Sequence, residues 1–198
     1  METPSKRTDV ICVLDRSGSM QSVASDAIGG FNAFLARQKI EPGRAYLTMI
    51  LFDHEYRVLH DAEPIGTVPY LSDSVYIPRG RTALLDAIGQ AIAVTTARVR
   101  SSQESERTEN VIVCILTDGL ENASREFTRR QIVDLIAQRK AEGWEFVYLA
   151  ADMAGIAEGQ TLGMNHDESV QYLKSPFGMA DAFNSIDKRV AKKRRTPR

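Results

Sequence analysis

The chain has 198 residues, 43% apolar and 26% charged, with a formal net charge of −1. That is ordinary globular composition, enough for a single domain with a substantial core, and no repeat or low-complexity segment interrupts it. The longest apolar stretches, such as Val10 to Leu14 and Val111 to Leu116, fall far short of the roughly 20 residues needed to cross a bilayer, so no membrane span is expected.

The first residues, 1 to 8, read as a polar N-terminal leader without the apolar stretch and cleavage signal of a secretory peptide. The expected location is therefore the cytoplasm. Val10 to Leu14 is the first strand; Val23, Ala27, Phe31, Phe34 and Leu35 then recur at helical spacing up to Lys39, and Pro42-Gly43 supplies the break. Gly29-Gly30 inside this helix predicts close packing against the sheet or, equally, a local bend. Ala45 to Phe52 is a second strand, and Tyr56 to Leu59 follows too closely for a crossover helix, so it is expected to pair antiparallel at the sheet edge.

Residues 61 to 81, with Pro64, Gly66, Pro69, Pro78 and Gly80, predict an irregular loop around a site. A helix from Thr82 is marked by Leu84, Leu85, Ile88, Ile92 and Thr95; the polar run Ser101 to Glu109 leads into strand Val111 to Leu116. A helix from Thr128 to Glu142 ends at Gly143, and Glu145 to Ala150 is the next strand. Ser175-Pro176 starts a last helix with Phe177, Ala180, Phe183, Ile186 and Val190 on one stripe. The domain is expected over 9 to 187. Residues 188 to 198, which carry Lys188, Arg189, Lys192, Lys193, Arg194, Arg195 and Arg198, form a basic C-terminal tail. Cys12 and Cys114 fall inside strands and are read as core residues rather than a redox pair.

Strands alternating with helices predict an α/β fold: a mostly parallel central sheet with one antiparallel edge strand and helices on both faces. Such sheets gather ligands at the carboxyl ends of their strands. Two polar segments sit at such ends, Asp15-Arg16-Ser17-Gly18-Ser19 and Thr117-Asp118-Gly119, and Thr82 in Gly80-Arg81-Thr82-Ala83-Leu84 joins them. Hydroxyl and carboxylate oxygens without Cys or His suit a hard octahedral cation, Mg2+ or Mn2+, rather than zinc. Asp15 need not touch the ion, because a carboxylate can orient metal-bound water from outside the coordination shell. Gly18 would let the backbone approach the ion. Taken alone, Asp-x-Ser-x-Ser also suits a helix cap.

These residues resemble the von Willebrand factor A domain with its metal-ion-dependent adhesion site. That family's pattern is Asp-x-Ser-x-Ser after the first strand, a Thr in a second loop and an Asp after the central strand, matched here by Asp15, Ser17, Ser19, Thr82 and Asp118. The likeness runs from about Asp9 to Ala150, is weaker over 151 to 198, and in wording is closest to small standalone bacterial or phage members. It implies a Rossmann-like fold and a divalent cation, Mg2+ or Mn2+ with Ca2+ as a further option. It also implies that Ser17 and Ser19 bind the ion directly, that Thr82 and Asp118 alternate between direct and water-mediated contact, and that movement of the last helix is coupled to this exchange. An acidic Asp or Glu of a partner protein would complete the octahedron. The partner class extends to larger assemblies such as a MoxR-type AAA+ ATPase.

Asp86, four residues after Thr82, is a candidate supporting residue, and Asp53, Glu121, Asn122 and Asp152 are candidate rim residues with capping as the alternative. Nucleic acid is the second partner class, through phosphate contacts of the basic tail; no aromatic residue there supports base stacking. Catalysis is not expected. There is no phosphate-binding Gly-x-x-x-x-Gly-Lys-Ser/Thr loop and no Gly-x-Ser-x-Gly elbow; His54, His60 and His166 have no evident nucleophile, and Asp15-Arg16-Ser17 lacks the second Asp of haloacid-dehalogenase-type phosphatases. A monomer is expected.

Overall fold

A computed structural model describes residues 7–103 and 108–195. Most of the expected leader (residues 1–6), part of the polar run (104–107) and the last residues of the tail (196–198) lie outside the described residues. Six strands form one sheet: β1 (Arg7–Asp15), β2 (Arg44–Phe52), β3 (Tyr56–Pro64), β4 (Thr108–Thr117), β5 (Glu145–Ala150) and β6 (Ser169–Gln171). Their order is β3-β2-β1-β4-β5-β6, parallel throughout except for the antiparallel edge pair β2–β3.

The helices are α1 (Ala24–Ile40), α2 (Leu84–Ser101), α3 (Arg129–Ala141), α4 (Met153–Thr161) and α5 (Pro176–Arg195). Strand alternation sorts them onto two faces. Val10, Cys12 and Leu14 of β1 point to a core shared with Phe31, Phe34 and Phe183 of α1 and α5, whereas Ile11 and Val13 point to Ile88 and Ile92 of α2, Ile132 of α3 and Ile156 of α4. Cys12 and Cys114 are buried, unbridged register neighbours on β1 and β4.

Several boundaries differ from those read in the sequence. β1 begins at Arg7, so the expected leader boundary between residues 8 and 9 falls within a strand, where Asp9 is buried and paired with Arg7 and Arg98. β3 runs on to Pro64 through a bulge at Ala62, which has φ 48° and donates its N–H to Thr48 Oγ1 at 3.0 Å. Helix α4 and the three-residue β6 were not expected. Gly30 does admit close packing, but against α5 rather than the sheet: a Cβ there would lie 2.5 Å from the Phe183 ring.

The boundary expected at Lys188 falls inside α5. Arg194 is buried and caps the neighbouring helix, donating to the carbonyls of Gln38 (2.7 Å), Glu41 (2.5 Å) and Gly43 (2.7 Å) and to Gln38 Oε1 (2.8 Å). The last carbonyls of an α-helix lack intrahelical partners, so this guanidinium satisfies the end of α1 with the end of α5.

Candidate metal centre

From β1 the chain moves to β2 on one side, and only after β3 and α2 does it return to β4 on the other side of β1. The carboxyl ends of β1 and β4 therefore flank a topological switch point, where loops diverge and leave a crevice. Asp15 closes β1, and Asp118 follows Thr117 at the end of β4.

Asp15 is buried under this crevice. One carboxylate oxygen accepts the Ser17 backbone N–H at 2.6 Å, and the other accepts the Thr117 hydroxyl at 2.6 Å. Burial pushes its pKa up from 3.8 to about 6, against the hydrogen bonds from Thr117 and Ser17, which favour the charged form; the nearby Asp118 charge adds to the rise. From the 65–81 loop, the buried phenol of Tyr76 donates to the Asp15 carbonyl and fixes the end of the strand. Burial also raises the Tyr76 pKa, so it stays a neutral donor.

The loop after Asp15 brings the two serines together. Ser17 Oγ and Ser19 Oγ are 3.0 Å apart, and Ser19 Oγ donates to Asp118 Oδ1 at 2.5 Å. Gly18 packs closely on the second loop: its N–H donates to the Gly80 carbonyl at 3.2 Å, and a Cβ would lie 3.3 Å from that oxygen. Thr82 enters from this second loop. Asn122 holds it reciprocally, accepting the Thr82 N–H at 3.0 Å and donating its own N–H to the Thr82 carbonyl at 3.0 Å. A Cβ built on Gly119 would lie 3.2 Å from Thr82 Oγ1 and 3.4 Å from Ser19 Oγ, which places both hydroxyls around the turn that carries Asp118. All five residues singled out in the sequence are thus gathered at one crevice.

Three residues of this centre were missed in the sequence. Thr117 supplies the hydroxyl that holds Asp15; its position at the end of a strand beside Asp118 was a usable signal. Tyr76 and Lys174 left none, because they arrive from irregular connections. Lys174 Nζ lies 2.8 Å from Asp118 Oδ2, whose side chain is fully covered.

The neighbouring acids do other work. Asp53 is buried; its Oδ2 meets Arg79 Nε at 2.8 Å and Arg16 Nε at 3.1 Å, the latter an ion pair not aligned as a hydrogen bond, and its Oδ1 accepts the Glu55 N–H at 2.9 Å. His54 and Glu55 lie beside it, with potential ligand atoms within 4.8 Å of one another, but the Asp53 oxygens are already engaged. Asp86 is not aimed at the centre: it accepts the backbone N–H groups of Arg125, Glu126 and Phe127 at 2.8, 2.9 and 2.9 Å and so clamps the loop after β4. Glu121 accepts the Leu85 N–H at the start of α2 (2.9 Å) and the Ser124 N–H (2.7 Å). Asp152 caps α4 through the Gly155 N–H at 2.8 Å. Of the rim candidates, only Asn122 positions a residue of the centre directly.

The donor set fits a small divalent cation. Neighbouring oxygens of an octahedral Mg2+ shell with bonds of about 2.1 Å lie about 3.0 Å apart, the observed Ser17–Ser19 separation of 3.0 Å; the Ser19–Asp118 pair, hydrogen-bonded at 2.5 Å, would open by about 0.5 Å to admit the ion. Such an ion would be held by Ser17, Ser19, Thr82 and Asp118, with Asp15 behind them.

No family model matches the sequence, and no curated protein does. Similarity appears at the level of structure. The von Willebrand factor domain of the type V pili tip protein Mfa5 from Porphyromonas gingivalis superimposes with a TM-score of 0.74 at 12% identity, covering 99% of both chains. The pilus adhesin SpaC from Lactobacillus rhamnosus GG, in an open conformation, gives 0.69 at 14% identity over 96% of this chain and 31% of its own. Proximal thread matrix protein 1 from the mussel byssus, with a zinc-occupied adhesion motif, gives 0.63 at 15% identity over 94% of this chain and 46% of its own. The chain therefore has the von Willebrand factor A fold, and spans less than half the length of the last two proteins.

Proposed function

We propose that this chain, built on the von Willebrand factor A fold, is a protein-binding module in which a divalent cation at Asp15, Ser17, Ser19, Thr82 and Asp118 captures an Asp or Glu of a partner protein. The observation that carries the reading is the run of oxygens at the switch point, Ser17 Oγ 3.0 Å from Ser19 Oγ and Ser19 Oγ 2.5 Å from Asp118 Oδ1, with Thr82 Oγ1 beside the same turn. The bound cation supplies an electrophilic position for an incoming carboxylate. The chain supplies the rest: Asp15 fixes the Ser17 backbone, Thr117 fixes Asp15, and Asn122 fixes Thr82. The hydroxyls that meet carboxylates, Ser19 on Asp118 and Thr117 on Asp15, serve here to assemble a set of ligand oxygens, and the reading is of binding without catalysis. Mg2+ or Mn2+ is the proposed ion, since every donor is oxygen. The zinc named for the mussel protein makes Zn2+ the necessary comparison.

The proposed location is the cytoplasm, consistent with cysteines that are confined to two buried strands. Among the described residues no helix is long and apolar enough to cross a membrane. The alternative partner, nucleic acid, finds little in α5: Arg194 caps α1, Arg195 pairs with Glu41 at 2.6 Å, Lys193 pairs with Glu145 at 2.6 Å, and Arg189 reaches the Asp167 carbonyl.

The test is thermal unfolding after chelation, followed by titration with Mg2+, Mn2+, Ca2+ and Zn2+. A cation at about 100 times its Kd adds about 2.7 kcal/mol. A rise in Tm with wild-type protein that is absent in Asp15→Ala supports the centre; an equal rise in both proteins refutes it.

A further inference from the structure

The large apolar side chains left exposed are unevenly distributed. Of the eight among the described residues, Tyr56, Ile77, Leu120, Met153, Leu173 and Phe177 lie at the carboxyl end of the parallel sheet, while Ile40 and Tyr70 lie elsewhere. Four of the six follow β4, β5 and β6, on the connections (Leu120, 49% exposed, and Leu173, 70%) or in the first turns of α4 and α5 (Met153, 67%, and Phe177, 87%). These connections are tied together beside the centre. Tyr172 donates its N–H to the Ala150 carbonyl at 2.8 Å and its hydroxyl to the Thr117 carbonyl at 3.3 Å, and Lys174 reaches Asp118 at 2.8 Å. The opposite flank is different, a groove lined by His54, Glu55, Arg81, Arg125 and Glu126. The centre thus has one bank with four exposed apolar side chains and another on which Tyr56 stands among charged ones.

Clustered exposed apolar side chains mark interaction surfaces when they adjoin a polar recognition point. Here that point selects negative charge through the proposed ion, beside which Lys174 and Asp118 form an ion pair at 2.8 Å. We infer that the partner is a protein segment whose acidic residue is flanked by large apolar side chains, which dock over Leu120, Met153, Leu173 and Phe177 while the acid meets the ion. The inference rests on the cation-and-carboxylate reading above and specifies what surrounds the carboxylate. Charge complementarity selects the segment's centre, and the apolar bank selects its flanks.

Two fluorescein-labelled synthetic heptapeptides test it, one with a single Glu between Leu residues and one with the same Glu between Ser residues. Binding is followed by anisotropy in Mn2+ and in chelator, with wild-type protein and with the Leu173→Ser, Phe177→Ser double variant. Both changes are at exposed positions, and the variant's Mn2+-induced rise in Tm verifies that its centre is intact. The expected result is that the Leu-flanked peptide binds at least tenfold tighter than the Ser-flanked one in Mn2+. That advantage falls below twofold in the double variant. Equal binding of the two peptides in Mn2+, or an advantage that survives the double variant, overturns the inference and leaves the carboxylate reading standing. A Tm response to Mn2+ with no Mn2+-dependent peptide binding overturns both. Binding to phosphatidylcholine–phosphatidylglycerol vesicles that depends on Leu173 and Phe177, without peptide discrimination, assigns the bank to a lipid surface and also overturns it.

Discussion

Two neighbouring strand ends bury carboxylates in opposite company. At the end of β2, Asp53 meets the guanidinium groups of Arg16 and Arg79. At the end of β1, Asp15 meets a backbone N–H and the Thr117 hydroxyl, and among the described residues no cation is paired with it. A buried carboxylate whose counter-charge belongs to the chain is part of the scaffold; one surrounded by neutral donors, on the proposed reading, takes its counter-charge from the bound cation. Asp118 lies between these cases, with a serine on one oxygen and Lys174 on the other.

The largest effect is expected at the arginine-paired site. Asp53→Asn leaves Arg16 buried without its counter-charge and should cost about 3 kcal/mol in denaturant unfolding, as breaking a buried pair does. The Mn2+-induced rise in Tm should persist, and its disappearance would make Asp53 part of the centre as well. Asp15→Asn should do the reverse. A pKa raised to about 6 means that ionised Asp15 opposes folding at pH 7 by up to roughly 3 kcal/mol, at about 1.36 kcal/mol per pH unit. The amide removes this charge, can accept the Ser17 N–H and can donate to Thr117. The chelated variant should therefore melt above the chelated wild type, yet gain nothing from Mn2+; a lower Tm would show that the hydrogen bonds outweigh the charge.

The same residue sets a pH dependence. Because its folded-state pKa lies above that of the unfolded chain, Asp15 imposes no penalty below about pH 4, and the chelated protein loses stability as the pH rises through 6. A cation replaces the proton, so its affinity should fall about tenfold per pH unit below 6 and level off above 7. A flat affinity between pH 5 and 7 in Mn2+ titrations would remove Asp15 from the centre. The smallest effect is expected at Lys174. Lys174→Met removes a partly exposed competitor for Asp118 worth at most about 1 kcal/mol, so cation affinity should rise up to fivefold. Weaker cation binding would make Lys174 a support of the centre rather than a rival.

What could be read from the sequence follows the range of the forces involved. The strands from β1 to β5 and the four longer helices announce themselves through apolar periodicity, a local property. Asp15, Ser17, Ser19 and Asp118 could be placed together because strand ends converge in an open α/β sheet, whereas Thr82, in the loop before α2, was joined to them through the family pattern. Asp86 looked like a supporting residue because it shares a helical face with Thr82; only the tertiary path of residues 125–127 reveals that its oxygens are spent on backbone N–H groups. β6 is three residues long and α4 carries Gly155 and Gly159, so neither has a pattern strong enough to separate it from loop. Lys174 reaches across 56 positions to Asp118, a distance no spacing rule spans.

The clasp between Arg194 and the end of α1 restricts how α5 can move. The helix is riveted at its far end by a guanidinium that binds three carbonyls, while its near end is moored to the centre through Lys174. A rod fastened in this way can swing about the rivet, but sliding along its axis breaks every bond at the rivet together. Any motion that the centre transmits through α5 is therefore a tilt, largest at Phe177 and vanishing at Arg194.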